Sequence, residues 1–339
     1  MTVRGLLLSC ALVAVPALAR MVPPDIPLFV RGADVSGLTQ MERQKGAFFM
    51  TELGVRTECL QLMHGYGLRA VRLQVCVDPT DGWCDADDTL AKAVRAKRAG
   101  LDVMLVFRYS NVRSGAAARE MPEAWKGYDE TRLLAAVSNH TSQVLQRLKD
   151  HEIAPRWVQL GGSLTDGFLY PFGHIDANPD GFARCFAAGA KAVKALFPRA
   201  AVVIHFDSVS DPDRMGRTLE ILRSNSIWWD VVSCALFPSP EDDAAALDAR
   251  VESLLKDLRR IAYEWSCDTL VGEIGFPCRP EEYERGRRRL AYLLDSAVKI
   301  RRCRGVFYYE PQARPRDSRM PLGAFDNFGH PTPIMEGFR

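Results

Sequence analysis

The sequence carries almost no excess of charge. Its 44 lysines and arginines stand against 42 acidic residues, leaving +2 at pH 7, so no bulk field draws the chain to nucleic acid or to an anionic membrane surface. It has no linker rich in proline, glycine or serine, no repeat and no low-complexity tract, which excludes a string of modules and a disordered chain. Past the N-terminus no apolar stretch is long enough to cross a bilayer. The cysteines match no zinc spacing. No glycine-rich phosphate loop follows the first strand-like run, because Gly32-Ala33-Asp34 lies inside that run and lacks the spacing. No Ser-His-Asp or Cys-His set is indicated either. What remains is 339 residues of ordinary globular composition, 47% hydrophobic and 25% charged, ample for a buried core around an active site.

The first residues stand apart by pattern. Arg4 precedes an apolar run from Leu6 to Val15, and Ala17-Leu18-Ala19 follows. A basic start, a short apolar centre and a small-x-small end read as a secretory signal covering residues 1–19. Residues 20–339 then form one mature domain, expected to be secreted or periplasmic and monomeric. Eight cysteines remain in it: Cys59, Cys76, Cys84, Cys185, Cys234, Cys267, Cys278 and Cys303. Spacing does not reveal pairing, and Cys76 and Cys234 fall in strand-like runs where they read as small buried hydrophobes.

From there on, strand-like and helix-like segments alternate. The strand candidates are Val30–Val35, Ala70–Val75, Val103–Phe107, Trp157–Leu160, Val202–Phe206, Val231–Leu236, Thr269–Glu273 and Gly305–Tyr309. They are nearly continuous in apolar character, as parallel strands buried on both faces must be. Helical periodicity predicts Thr51–His64, Asp88–Ala99, Asp129–Asp150, Gly181–Leu196, Arg214–Ser224, Asp243–Glu264 and Glu281–Ile300 between them. Eight such units predict an α/β fold, a single (β/α)₈ TIM barrel. The chemistry of such a barrel sits where its strands end. That yields Asp34, Arg72, Arg108, Ser163, His205, Asp207, Phe237, Glu273, Tyr309 and Glu310. Glu273, directly after an apolar strand, is the sharpest candidate for a nucleophile or base.

The motifs in this order resemble glycoside hydrolase family 53, the arabinogalactan endo-β-1,4-galactanases. They include Gly32–Ser36 with Gln40-Met41-Glu42, Val71-Arg72-Leu73 with Val77-Asp78-Pro79, and Asp87-Asp88-Thr89-Leu90. Further on come Tyr109-Ser110, Pro122–Gly127, Val158–Gly161, Ile204–Asp207, Glu273 and Gly305–Pro311. The resemblance implies a secreted glycosidase with Glu273 as its nucleophile, and with Asp34, Arg72, His205, Asp207 and Glu310 among the retained positions.

Departures from the family pattern fall where the chemistry should be. The family's Asn-Glu pair after the fourth strand, whose Glu is the acid/base, corresponds to Gly162-Ser163. Its Asp-Phe-His-Tyr-Ser becomes Val106-Phe107-Arg108-Tyr109-Ser110, its Tyr-Tyr-Pro becomes Leu236-Phe237-Pro238, and its eighth-strand Trp becomes Tyr309. The Arg and Trp that follow Arg72 become Gln74 and Cys76. A retaining glycosidase needs two carboxyls, and a serine hydroxyl cannot serve as the acid. The resulting expectation is a galactanase-like protein that binds a galactan-type polysaccharide and hydrolyses it weakly or not at all. Two alternatives stand beside it. One is an active retaining glycosidase with Asp166, Asp207 or Glu310 as a relocated acid, and the other is a barrel for a non-sugar ligand or a protein contact. Arg108, Tyr109 and Gly162 are expected at the sugar site, in a cleft lined from among Trp125, Tyr109, Tyr170, Phe172 and Tyr309. No metal and no cofactor is expected. The basic run Arg285–Arg289 is expected on a solvated outer helix face.

Overall fold

The structure is a computed structural model and describes residues 27–208, 211–239, 242–317 and 321–339. The signal-sequence reading of residues 1–19 lies outside the described residues. Eight parallel strands close a barrel: β1 (Val30–Asp34), β2 (Ala70–Val75), β3 (Asp102–Phe107), β4 (Trp157–Leu160), β5 (Ala201–Phe206), β6 (Val231–Leu236), β7 (Asp268–Ile274) and β8 (Cys303–Tyr309). Each strand pairs with its neighbours in sequence, and β1 pairs with β8 to complete the ring. Every residue of β2, β4, β5 and β6 is buried, which explains their unbroken apolar character.

Alternation along the strands divides the core in two. One set of side chains fills the bottom of the barrel, where Trp157 meets Phe307 edge-on among Val30, Met104, Val203, Val231 and Leu270. The opposite set packs against the surrounding helices. In α4 (Glu130–Asp150) the inward residues Leu133, Val137, Val144, Leu145 and Leu148 recur at helical spacing, and Asp129 caps the N-terminus by accepting from the Arg132 N–H. All eight described cysteines are free and buried. No described helix is long and apolar enough to cross a membrane.

The expected helix Thr51–His64 is corrected. Phe49–Met50 and Arg56–Thr57 instead form a small antiparallel hairpin, turned at Gly54 with φ +74°. Helix begins only at Cys59, where the Glu58 carboxylate caps the Gln61 N–H. Leu38–Gln44 adds a helix after β1 that periodicity did not indicate. The basic run is also only partly solvated: Arg289 is 7% exposed and is clamped by Asp248 and Glu282.

Strand β7 departs from ideal register. Between Val271 and Ile274 it holds one more residue than either β6 or β8 spans alongside. A bulge of this kind bends a strand and re-aims its side chains. The extra residue falls at Gly272-Glu273.

Candidate active site at the barrel mouth

The strand ends surround a cavity of about 510 Å³, whose lining includes Arg108, Gly162, Ser163, Asp207, Phe237, Glu273 and Tyr309. Glu273 arrives on the β7 bulge with its side chain 7% exposed. Gly272 makes this possible, since a Cβ there would come within 2.3 Å of Ser233 Oγ and 3.1 Å of His205 Nδ1. His205 is held by Ser233 at 2.8 Å through Nδ1, so its Nε2 faces the Glu273 carboxylate at 3.7 Å.

Beneath the cavity lies a buried charged network. Arg72 Nη1 lies 2.6 Å from Glu273 Oε1, and the same guanidinium pairs with Asp34 and donates to Gln159 Oε1 at 3.1 Å. Asp34 accepts in addition from the Ser36 N–H at 2.9 Å and from Gln74 Nε2 at 3.1 Å. Burial by itself raises the Glu273 carboxyl, but the charge of Arg72, with His205 and Arg108 behind it, more than offsets that and holds it far below the usual carboxylate range. Glu273 is therefore ionised at neutral pH.

On the opposing strand end, Ser163 is 7% exposed. Its hydroxyl accepts from the Asp207 N–H at 3.2 Å and shares a hydrogen bond with Thr165 Oγ1 at 3.0 Å. Gly162 lies against Arg108: a Cβ on residue 162 would stand 1.9 Å from Arg108 Nη1. The Arg108 guanidinium thus fills the space that a side chain at 162 would use, anchored by Nε donating to Gln74 Oε1 at 2.8 Å.

The remaining candidates separate by position. Asp34 and Arg72 are fully buried under the cavity and reach it through Glu273. Asp207 lines it with a half-exposed carboxylate 3.4 Å from Arg119. Tyr309 lines it with Phe237 set edge-on at 5.2 Å. Glu310 turns to an adjoining cavity of about 200 Å³, accepts from the Gly37 N–H at 3.0 Å and pairs with Arg113 at 3.3 Å. Burial raises its carboxyl above the ordinary value. Asp166 is held away by Arg214 at 2.7 Å.

Tyr109 is a correction. It is 1% exposed, stacked on Phe107 at 5.6 Å and hydrogen-bonded to Thr141 at 2.7 Å, so it is a core residue with no face for a sugar. Trp125 belongs to the same cluster, 6.3 Å from Tyr109. Tyr170 stacks near His174, and Phe172 packs on the core. Of the five aromatics expected in the cleft, Tyr309 is the one that lines it; Phe168, which was not expected, lines it too. Arg119 and Gln159 were also missed. Arg119 lies in an irregular segment with no periodic signal, and Gln159 reads as an ordinary interior strand residue.

Among the described residues, His205, Asp207 and Glu273 offer ligand atoms within 4.8 Å of one another. Arg72 and Arg119 already answer those carboxylates, so a cation would have to displace two guanidinium groups.

Known proteins share this architecture. Fungal β-1,4-galactanases superpose with a TM-score of 0.81 at 23% identity, over 92% of this chain and 99% of theirs. A family 53 catalytic domain from Ignisphaera aggregans gives 0.78 at 23% identity, over 94% and 98%. In sequence, a probable arabinogalactan endo-β-1,4-galactanase A of Aspergillus terreus is 28% identical over 267 residues, 76% of this chain and 74% of that protein. The sequence profile of glycosyl hydrolase family 53 matches residues 30–325, nearly the whole of the barrel, and the chain belongs to that family.

Proposed function

We propose that the protein is exported, engages a β-1,4-galactan-type polysaccharide at the barrel mouth, and hydrolyses it feebly or not at all. The observation that carries this reading is the pairing, in one cavity, of an ionised Glu273 with Ser163 where the second carboxyl would be needed. In a retaining mechanism one carboxylate attacks the anomeric carbon while the other, about 5–5.5 Å away, protonates the departing oxygen. Glu273 suits the first role, being desolvated, charged and aimed by the β7 bulge. Ser163 cannot fill the second, because its hydroxyl holds its proton at neutral pH and already accepts from the Asp207 N–H. General acid–base assistance is worth roughly 10²–10⁴-fold, and both halves of the reaction draw on it. Tyr309 and Phe237 offer apolar faces on which a sugar ring can rest.

One observation favours a second reading, a working glycosidase with a relocated acid. An Asp207 oxygen lies within 4.8 Å of a Glu273 oxygen, close to the spacing of a retaining pair. Against it, the Asp207 side chain is 55% exposed and turned to Arg119 at 3.4 Å, so it is not aimed at the cleft by any enclosing packing.

The test is galactotetraose binding by calorimetry, set beside galactan and aryl-galactoside hydrolysis by the purified protein. Binding with little or no galactan turnover is expected. Galactan cleavage at ordinary enzyme rates, about 1–10³ s⁻¹, overturns the reading, and its loss in Asp207→Asn would assign the acid.

A further inference from the structure

Among the described residues, one cation lining the cavity forms no ion pair with a carboxylate. Around it, Arg72 is met by Asp34 and Glu273, Arg113 by Glu310 and Arg119 by Asp207. Arg108 lines the same cavity, and among the described residues its one side-chain partner is the neutral Gln74, reached through Nε. Its Nη hydrogens have no acceptor among those residues. Its charge reaches Glu273 only from a distance, behind Arg72 and His205. The hydrogen-bonding edge of the guanidinium remains unused, and it lies against Gly162, next to Ser163 and on the same cavity as Glu273.

We infer that this site takes an acidic saccharide, with Arg108 binding a carboxylate or sulfate group on a sugar held between Tyr309, Phe237 and Glu273. The inference rests on the reading of the cavity as a glycan-binding cleft and names the class of glycan. A guanidinium fork matches a planar carboxylate through two parallel charge-assisted hydrogen bonds, and it binds a sulfate by the same donors. Discrimination acts in both directions. A neutral galactan closing over the cavity strips water from Arg108 and supplies no anion, whereas an acidic sugar replaces that water with its own charge. Gly162 is part of the device, because any larger residue there would compete with the guanidinium for its seat.

Calorimetric titration at one ionic strength compares three ligands of equal length: neutral β-1,4-galactotetraose, a tetragalacturonide and a sulfated galactotetraose. The parent protein is expected to bind at least one acidic ligand about tenfold or more tighter than the neutral one. Raising the salt concentration should erode that preference. A tighter galacturonide identifies a uronic acid as the recognised group, and a tighter sulfated ligand identifies a sulfate ester. Arg108→Gln should collapse the ratio of acidic to neutral affinity. Equal affinity for neutral and acidic ligands in the parent overturns the inference while leaving the glycan-cleft reading intact, and this comparison needs no variant to fold. An unchanged ratio in a folded Arg108→Gln also overturns it. Absence of binding to all three ligands removes the inference and the glycan-cleft reading together.

Discussion

Substituting Gly162 by Asn measures how tightly Arg108 and residue 162 depend on each other. The new Cβ would lie 1.9 Å from Arg108 Nη1 and 3.1 Å from its Cζ, far inside contact distance, so the guanidinium must swing away. Swinging breaks the Nε hydrogen bond to Gln74 Oε1 at 2.8 Å and strips Gln74 of one partner. A hydrogen bond to a charged group contributes roughly 1.5–3 kcal/mol. Arg108 regains some hydration in the open cavity, so a net loss of about 1–2 kcal/mol is expected, which lowers the Tm of a domain this large by roughly 2–3 °C. Arg108→His, made in the same chain, frees the seat, and the pair should lie within about 0.5 kcal/mol of Arg108→His alone. The assay is a double-mutant cycle by urea and thermal unfolding, followed by circular dichroism. Strict additivity, with Gly162→Asn equally costly in both backgrounds, refutes the steric argument. The same clash governs catalytic rescue. Gly162→Asn with Ser163→Glu should give at most a trace of aryl-galactoside turnover while Arg108 remains, since that cation favours the charged form of the introduced carboxyl. Robust galactan cleavage by that double variant would show the reasoning to be wrong.

The buried network and its titration give further tests. Arg72→Met leaves Asp34 and Glu273 buried without their shared cation, and breaking such a pair costs about 3–5 kcal/mol; equilibrium unfolding that shifts by less than ~1 kcal/mol contradicts the charge assignment. Glu273 is held below its ordinary pKa, so its stabilising effect is complete above the unfolded value of about 4.3 and fades as pH falls towards the folded value. Parent protein should therefore lose stability faster than Glu273→Gln between about pH 5 and pH 3, and parallel curves in urea unfolding would count against it.

Much of the fold could be read from the sequence because buried parallel strands leave an unmistakable trace. Ala70–Val75, Trp157–Leu160 and Val231–Leu236 have the bounds that their apolar runs suggest. The hairpin at residues 49–57 could not be read so, because its two-residue strands are too short to show alternation and Gly54 decides the turn. The site divides in the same way. Glu273, His205 and Ser163 stand at or just past strand ends and Arg72 lies within β2 beneath them, so their convergence follows from the barrel itself. Tyr109 is misleading because it follows β3 as a cleft residue should, yet its φ of +46° accompanies a ring turned into the core against Phe107. The seat of Arg108 over Gly162 is a contact between two strand ends, and composition or periodicity along one segment carries no record of it.

The buried thiols have a consequence for how the chain meets an oxidising environment. Burial pushes Cys84 up to about 11 and Cys76 up to about 12, so almost no thiolate exists at neutral pH, and disulfide exchange proceeds through the thiolate. Once folded, these two thiols are poor partners for disulfide exchange. The unfolded chain has no such shelter: its cysteines return to a pKa near 8.5 and lie within reach of one another. Protection is thus conferred by tertiary packing and arrives only with it. In an oxidising compartment the yield of native protein is set by a race between closing the barrel and the first mispaired disulfide, and a variant that slows barrel closure forfeits material before it loses any native stability.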